Sequence, residues 1–378
     1  MANVFTSILP ILYRSAARVV PRELTGVIGA STMDFADTGV AKGDTVTVGI
    51  VPIATVTAFT PAQAFTAGTD RTPTSRVLTL NQENVTSWNL TGEQEKSLMN
   101  GGNYVPIFEQ TVAQHLRAHV NAIENYAWGV GRKAASRATG TAGTSPFATD
   151  QKPLADALRI LLDNGVAKQD LSAVFDTVAG ADLRKVSNLF KVNESGDDMI
   201  RTGVLGSLYG FDLRESNAVS QVVSGTGTLY TTTAAGFAVG TTSIPLINGS
   251  GTVLAGDVVT FAGDANKYVV TTGVAAPGTI VIAEPGLRVA MSAATKAMTI
   301  GSAATQSLFF HKNAIQVVAR PGLQPVGPAV EQEVITDPAS GLSFLLYRNV
   351  GDGMASWYMR CVFDAFSPNP YAIGTLLG

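Results

Sequence analysis

The first clear pattern along the chain is a pair of strand-like runs. Residues 45–57 are rich in β-branched side chains, and a second run at residues 75–80 follows a loop of Thr, Pro and Gly. These runs predict a long two-stranded β-hairpin with its tip near residues 67–73. Because an isolated hairpin is marginally stable and exposes its edges, we expect it to lie on a neighbour, and that neighbour to be another copy of the chain.

After the hairpin, apolar side chains recur at three- and four-residue steps. They are Val105, Phe108, Val112, Leu116, Val120, Ile123, Ala127 and Val130. This spacing is typical of a single amphipathic helix of about seven turns. One continuous apolar stripe predicts a helix that is packed along its whole length.

Beyond a break rich in Gly and Thr, short helical and strand-like runs alternate. Residues 154–162 predict a second helix, which Asn164 and Gly165 close, and residues 173–178 predict a buried strand. The alternation continues to about residue 216. It predicts a domain of the α+β class.

The composition then changes. Residues 225–300 are dominated by Gly, Thr, Val and Ala, with short strands at residues 257–261 and 267–272 between turns. This pattern predicts a separate small β-barrel or sandwich. Further strands at residues 343–347 and 356–366 resume the earlier pattern, so the β-rich segment is expected to be an insertion into the parent domain.

These patterns divide the chain into six predicted segments. They are an N-terminal arm at 1–44, an extended β-hairpin loop at 45–100, a spine helix at 101–140, a first part of the central domain at 141–221, an inserted β-barrel at 222–303, and a completion of the central and peripheral domains at 304–378.

Composition and charge add three expectations about the surroundings of the protein. Hydrophobic residues make up 46% and charged residues 15% of the chain, so little polar surface keeps a lone subunit soluble, and much of the surface is expected to face other subunits. The net charge of -3, without a basic block, argues against strong nucleic-acid binding. The longest apolar run, at residues 8–13, is too short for a membrane span and lacks the basic start of a secretory signal.

Candidate chemistry is sparse. His115 and His119 share a helical face at zinc-ligand spacing, but the HExxH pattern is absent, so we expect a structural or exposed role. Residues 129–134 match GxGxxA, yet they end a helix where that motif must open one. Cys361 is unpaired and reads as a core residue. With no Walker loop, no GxSxG elbow and three histidines, we predict that the protein is not an enzyme and holds no metal or cofactor.

Two groups of charged residues are candidate contact sites between molecules. Arg14, Arg18 and Arg22 recur at four-residue steps on the arm and are either a docking face for a partner or a solvated surface. Asp70, Arg71 and Arg76 lie around the predicted hairpin tip, where we expect contact with a neighbouring subunit.

Several short stretches, in order, resemble a known family. They are residues 210–214, residues 255–263, residues 309–318 and the ending at residues 370–374. Together with the order of arm, hairpin, spine helix and split central domain, they resemble the coat proteins of the P twenty-two type of podovirus, a branch of the Hong Kong 97 capsid fold.

The resemblance implies a major capsid protein, not an enzyme, that self-assembles into the icosahedral head around phage double-stranded DNA. Subunits would form pentamers and hexamers in which a hairpin overlaps the spine of its neighbour and arms latch adjacent capsomers. It further implies a scaffolding protein, a portal protein, non-specific contact with packaged DNA, no membrane, and a location in the virion after assembly in the host cytoplasm.

Alternatives and two corollaries accompany this interpretation. An encapsulin-like shell protein, a phage tail or decoration protein, and an unrecognised carboxylate enzyme remain open. Residues 45–90 contain no lysine, so we predict a shell without covalent cross-links of the lysine–asparagine kind found in some relatives. The hairpin begins near residue 45, which leaves room for an arm but not for a fused scaffolding segment, so we expect the scaffold to be a separate protein.

Overall fold

The computed structural model of the chain describes residues 26–35, 39–50, 74–100, 104–186, 205–323, 330–337 and 341–378. Its helices in chain order are α1 Val27–Ala30, α2 Gly92–Asn100, α3 Tyr104–Ala134, α4 Lys152–Asp163 and α5 Thr177–Leu183. Few helices and two large sheets make this a mixed α+β protein, which confirms the predicted class.

More of the described residues lie in strands than in helices. In chain order they are β1 Thr32–Phe35, β2 Thr45–Ile50, β3 Thr74–Thr79, β4 Gln82–Thr91, β5 Arg137–Gly140, β6 Leu171–Phe175, β7 Ser207–Leu208, β8 Phe211–Glu215, β9 Gln221–Val222, β10 Thr231–Thr232, β11 Ser243–Ile247, β12 Val258–Phe261, β13 Lys267–Thr272, β14 Thr279–Ile282, β15 Met298–Ile300, β16 Ala304–His311, β17 Gln316–Pro321, β18 Val330–Thr336, β19 Ser343–Gly351, β20 Met354–Phe366 and β21 Ile373–Leu377.

Helix α3 is the long helix that the apolar spacing predicts. Its buried face begins at Tyr104 and continues through Phe108, Val112 and Leu116 at four-residue steps. Val105, which we placed on the stripe, is 39% exposed, because each residue advances about 100° around a helix and Tyr104 takes the inward position of that turn. The helix packs mainly on β20, with further contacts to β13 and β16.

The first sheet has six strands in the order β1–β17–β20–β19–β18, with β4 paired to β20. Strand β20 is the axis of this sheet, since β4 pairs with it antiparallel over ten residues while β19 and β17 share its other edge. The predicted hairpin segment 45–100 therefore contains more than a hairpin. Among the strands that the structure describes in this segment, β2 and β3 pair with each other, and β4 belongs to the sheet.

The second sheet joins the central domain to the β-rich segment. Strand β16 lies between β21 and β6, and β21 runs parallel to β5. Strand β13 of the β-rich segment then pairs with β5 through Lys267↔Ala138 and Tyr268↔Arg137. The composition predicts a separate unit here, whereas the hydrogen bonding continues from one part to the other, because the open edge of β5 offers unpaired backbone groups to β13.

The β-rich segment nevertheless has its own buried core. This second core contains Tyr230, Ile244, Leu246, Val253, Val259, Phe261, Tyr268, Val270, Ile280, Ile282, Leu287, Met291 and Met298. The main core lies instead around α3, α4 and the central strands. A third, small core of Val40, Leu78, Leu80, Val318 and Val362 joins the base of the β2–β3 hairpin to the first sheet.

Candidate assembly surfaces

The β2–β3 hairpin is attached to the first sheet at its base. Leu78 and Leu80 are buried against Val318 of β17 and Val362 of β20. Burying side chains of this size contributes roughly 1.5–3 kcal/mol each. The base of the hairpin is therefore held in a defined direction relative to the sheet.

The opposite face of the same hairpin is uncovered. The strand register places Thr45 opposite Thr79, Thr47 opposite Val77 and Gly49 opposite Ser75, so these six residues share one face of the hairpin. Val77 is 58% exposed, and no position on this face carries a charge. An uncharged, partly apolar strand face open to solvent is suited to contact with another protein surface.

An aromatic cluster holds helix α3 on the first sheet. The ring of Trp357 lies 5.1 Å from Phe108 and 6.1 Å from Trp88, centroid to centroid, and His115 stacks on Trp88 at 4.5 Å. The guanidinium of Arg348 lies 5.2 Å from the ring centre of Trp357. Because these groups come from β4, β20, β19 and α3, the cluster joins β4 to both the helix and the sheet.

The two histidines of α3 contact this sheet. The His119 Nε2 atom lies 3.0 Å from Thr86 Oγ1 and 3.2 Å from the Met359 carbonyl oxygen. Burial lowers the pKa of His119 to about 4, and burial likewise lowers the pKa of His115. Among the described residues, no three His, Cys, Asp or Glu side chains gather as metal ligands would.

A buried carboxylate anchors the segment that precedes β1. Glu124 of α3 is 4% exposed and accepts hydrogen bonds from the backbone N–H groups of Val27 (2.9 Å) and Ile28 (3.1 Å) and from the Ser216 hydroxyl (2.6 Å). A Cβ atom at Gly26 would collide with this carboxylate. Sequence reasoning missed Glu124, although a carboxylate next to Ile123 on the apolar stripe was a visible signal.

Arg137 occupies the junction between the two parts of the second sheet. It is 3% exposed and donates to the Ile160 carbonyl (3.1 Å), Asp163 (3.4 Å), Asn164 (3.3 Å) and Asn266 (3.3 Å). Burial lowers the pKa of Arg137. Since Asn266 belongs to the β-rich segment and the other partners to α4 and its end, this side chain joins the two parts.

A polar cleft of about 380 Å³ lies beside this junction. Lys267 closes one side by donating to the Gly140 carbonyl, and Lys152 and Arg159 on another side pair with Asp156. The cleft therefore lies among charged groups that are already paired.

Most residues of the two predicted contact groups lie outside the described part of the chain. These are Arg14, Arg18, Arg22, Asp70 and Arg71. The backbone of Arg76 is described and pairs with Val48 in the β2–β3 hairpin. The proposed roles of all these residues remain predictions.

The other sequence candidates have structural positions. Cys361 is buried in β20, and burial raises the pKa of its thiol to about 12. Residues 129–134 end α3, where a Cβ at Gly131 would lie 2.9 Å from side-chain atoms of both Leu308 and Ile315. Gly131 thus allows close approach of helix and sheet. Within the described residues, no helix has the length and apolar character needed to cross a membrane.

Comparison with known proteins gave no matching family model and no matching curated protein. Solved structures do show similarity, at low identity. The capsid of the cyanophage P-SCSP1u is 12% identical with a TM-score of 0.48, covering 92% of this chain and 86% of that one. The mature capsid of bacteriophage PhiM1 is 11% identical with a TM-score of 0.46, covering 93% and 86%.

A virus-like particle from Pyrococcus furiosus is also similar. It is 9% identical with a TM-score of 0.40, covering 97% of this chain and 96% of that one. Two of these solved structures are thus phage capsids and one is a virus-like particle, and each similarity extends over more than nine tenths of this chain.

Proposed function

We propose that the protein is the major capsid protein of a tailed bacteriophage, with a fold of the Hong Kong 97 type. The observation that carries the proposal is the β2–β3 hairpin, which packs on its own sheet through Leu78 and Leu80 and leaves its other face uncovered. A hairpin that is covered on one face only needs a second surface, and in this proposal a neighbouring subunit supplies it.

The order of elements supports the same proposal. Along the chain come an anchored segment at α1, the β2–β3 hairpin, the long helix α3 on a sheet, and a central domain that a β-rich segment interrupts. In this proposal the segment 222–303 is an inserted β-barrel on the outer surface, with a core around Tyr230 and Phe261. The six segments of the sequence analysis are its domains.

The assembly follows from these parts. Subunits form pentamers and hexamers, each hairpin covers the helix and sheet of its neighbour, and the arm before residue 26 latches adjacent capsomers. Arg14, Arg18 and Arg22 dock a scaffold or a neighbour, and Asp70, Arg71 and Arg76 contact the next subunit. A scaffolding protein, a portal protein and DNA held without sequence preference are the partners, in the host cytoplasm and then the virion. The protein is not an enzyme.

Shortening the hairpin tests this function. Replacing residues 51–73 by Asn-Gly joins Ile50 to Thr74 in a two-residue turn and preserves the β2–β3 pairing. We expect the full chain to form closed particles in negative-stain microscopy when it is expressed with its scaffold. The shortened chain should keep the thermal melting of the full chain but stay as small species in sedimentation. Equal particle yield from both chains would refute the proposal.

A further inference from the structure

The β-rich segment contains an unusually long stretch without charge. Residues 216–256 include no Asp, Glu, Lys, Arg or His, although charged residues make up 15% of the chain. At that frequency about six charges would be expected in such a stretch. Because a protein surface in contact with water is normally rich in charge, the exposed part of this stretch is suited to contact with another protein surface.

The exposed part is a two-stranded ribbon, defined here as residues 225–231 paired antiparallel with residues 247–253. The N–H of Gly227 donates to the Thr252 carbonyl at 2.8 Å, and Thr228 and Ser250 exchange N–H···O bonds of 2.9 and 3.1 Å. The first charged residue after the ribbon is Asp257, which is 3% exposed and accepts a hydrogen bond from the Gly225 N–H.

Tyr230 makes the ribbon rigid. Its ring is 1% exposed and its hydroxyl donates to the Gly251 carbonyl at 2.7 Å. A Cβ at Gly249 would lie 2.8 Å from this ring, and a Cβ at Gly227 would lie 2.9 Å from it. Glycine at both positions therefore lets the backbone close around Tyr230, and the outer side of the ribbon is presented in one conformation.

The outer side carries apolar side chains within an uncharged polar surround. Leu229 and Ile247 on the ribbon are 84% and 37% exposed, and Leu254, which directly follows the ribbon, is 45% exposed. Leu229 also has φ +59, a conformation that is unfavourable for a branched side chain. A strained, exposed leucine on a rigid ribbon has the character of an interface anchor, since strain is retained where it serves a contact.

We propose that this ribbon binds the same ribbon of a second copy of the chain, with Leu229 near the centre of the contact. This inference rests on the proposed shell function, in which many copies meet. An uncharged surface meets its own copy without like-charge repulsion, whereas it offers no complement to phosphates or to a strongly charged protein. A self-complementary patch is also what two-fold contacts between identical subunits require.

Charge variants of Leu229 test the contact in the full chain. Leu229→Asp and Leu229→Lys each place like charges opposite one another, so self-association in sedimentation velocity should weaken at least tenfold for each variant alone. An equimolar mixture of the two variants should recover association to within about threefold of the natural chain, because opposite charges then meet.

Val239 provides the matched control. It is 59% exposed in the same uncharged stretch but lies off the ribbon, so Val239→Asp and Val239→Lys should associate as the natural chain does. All four variants should keep the natural melting temperature. If either Leu229 variant alone associates as strongly as the natural chain, the inference is wrong. If the mixture of the two variants associates as weakly as each variant alone, the ribbon binds a different partner and the inference is likewise wrong. Failure of the natural chain to close into shells, while the mixture still recovers association, would refute the shell function alone.

Discussion

Removing the Glu124 carboxylate should detach the segment before β1 from helix α3. In Glu124→Ala, the N–H groups of Val27 and Ile28 and the Ser216 hydroxyl lose their shared acceptor. A buried donor left without a partner costs about 1–3 kcal/mol. Since α1 has only four residues and can move away to reach water, not all three penalties persist, and we expect a loss of about 3 kcal/mol.

The expected loss has two measurable consequences. The melting temperature should fall by about 6 °C, given that roughly 2 °C accompanies each kcal/mol in a chain of this size. Hydrogen exchange of residues 27–31 should also rise toward that of an unprotected segment, while α3 itself stays protected. Exchange followed by mass spectrometry separates this local detachment from global unfolding.

Asn125→Ala is the matched control. Asn125 lies next to Glu124 on the same helix but is exposed, so its replacement should change the melting temperature by less than 1 °C. If Glu124→Ala melts as the control does and residues 27–31 keep their protection, the buried carboxylate does not anchor this segment and the reasoning is wrong.

Three further predictions follow from other features. The pKa of His119 is lowered to about 4, so between pH 6.5 and 4 the unfolded chain binds a proton that the folded chain does not. The free energy of unfolding should therefore fall by about 3 kcal/mol over this pH range relative to His119→Gln. The same pH dependence for both proteins in urea unfolding would contradict this prediction. Mature particles boiled in detergent should run as monomers on a gel, because residues 45–90 lack lysine, and a ladder of multimers would refute the prediction. The purified chain without a scaffold should give shells of mixed size or aggregates in electron microscopy, since one pairwise contact does not set curvature; uniform heads would be the contrary result.

Local patterns predicted the elements whose signal lies within a few residues. The four-residue apolar step identified α3, the β-branched runs identified β2 and β3, and Gly165 ends α4 with φ +82, as expected of a residue beyond a helix terminus. The buried position of Cys361 in β20 also follows from its apolar neighbours. In each case the interactions that favour the structure lie within a single helix, strand or turn.

Pairings between distant segments were decided by the tertiary structure alone. β4 follows the hairpin in the chain, yet it pairs with β20, more than 260 residues further along. This pairing brings the aromatic rings of Trp88, Trp357 and Phe108 together. The contact of Glu124 with residues 27 and 28, and the β5–β13 pairing that joins the two parts of the second sheet, are equally non-local. An amino-acid sequence determines which faces must be buried and which backbone groups need partners. Which distant segment supplies them depends on the shape and packing of all the others, and therefore only the folded chain determines it.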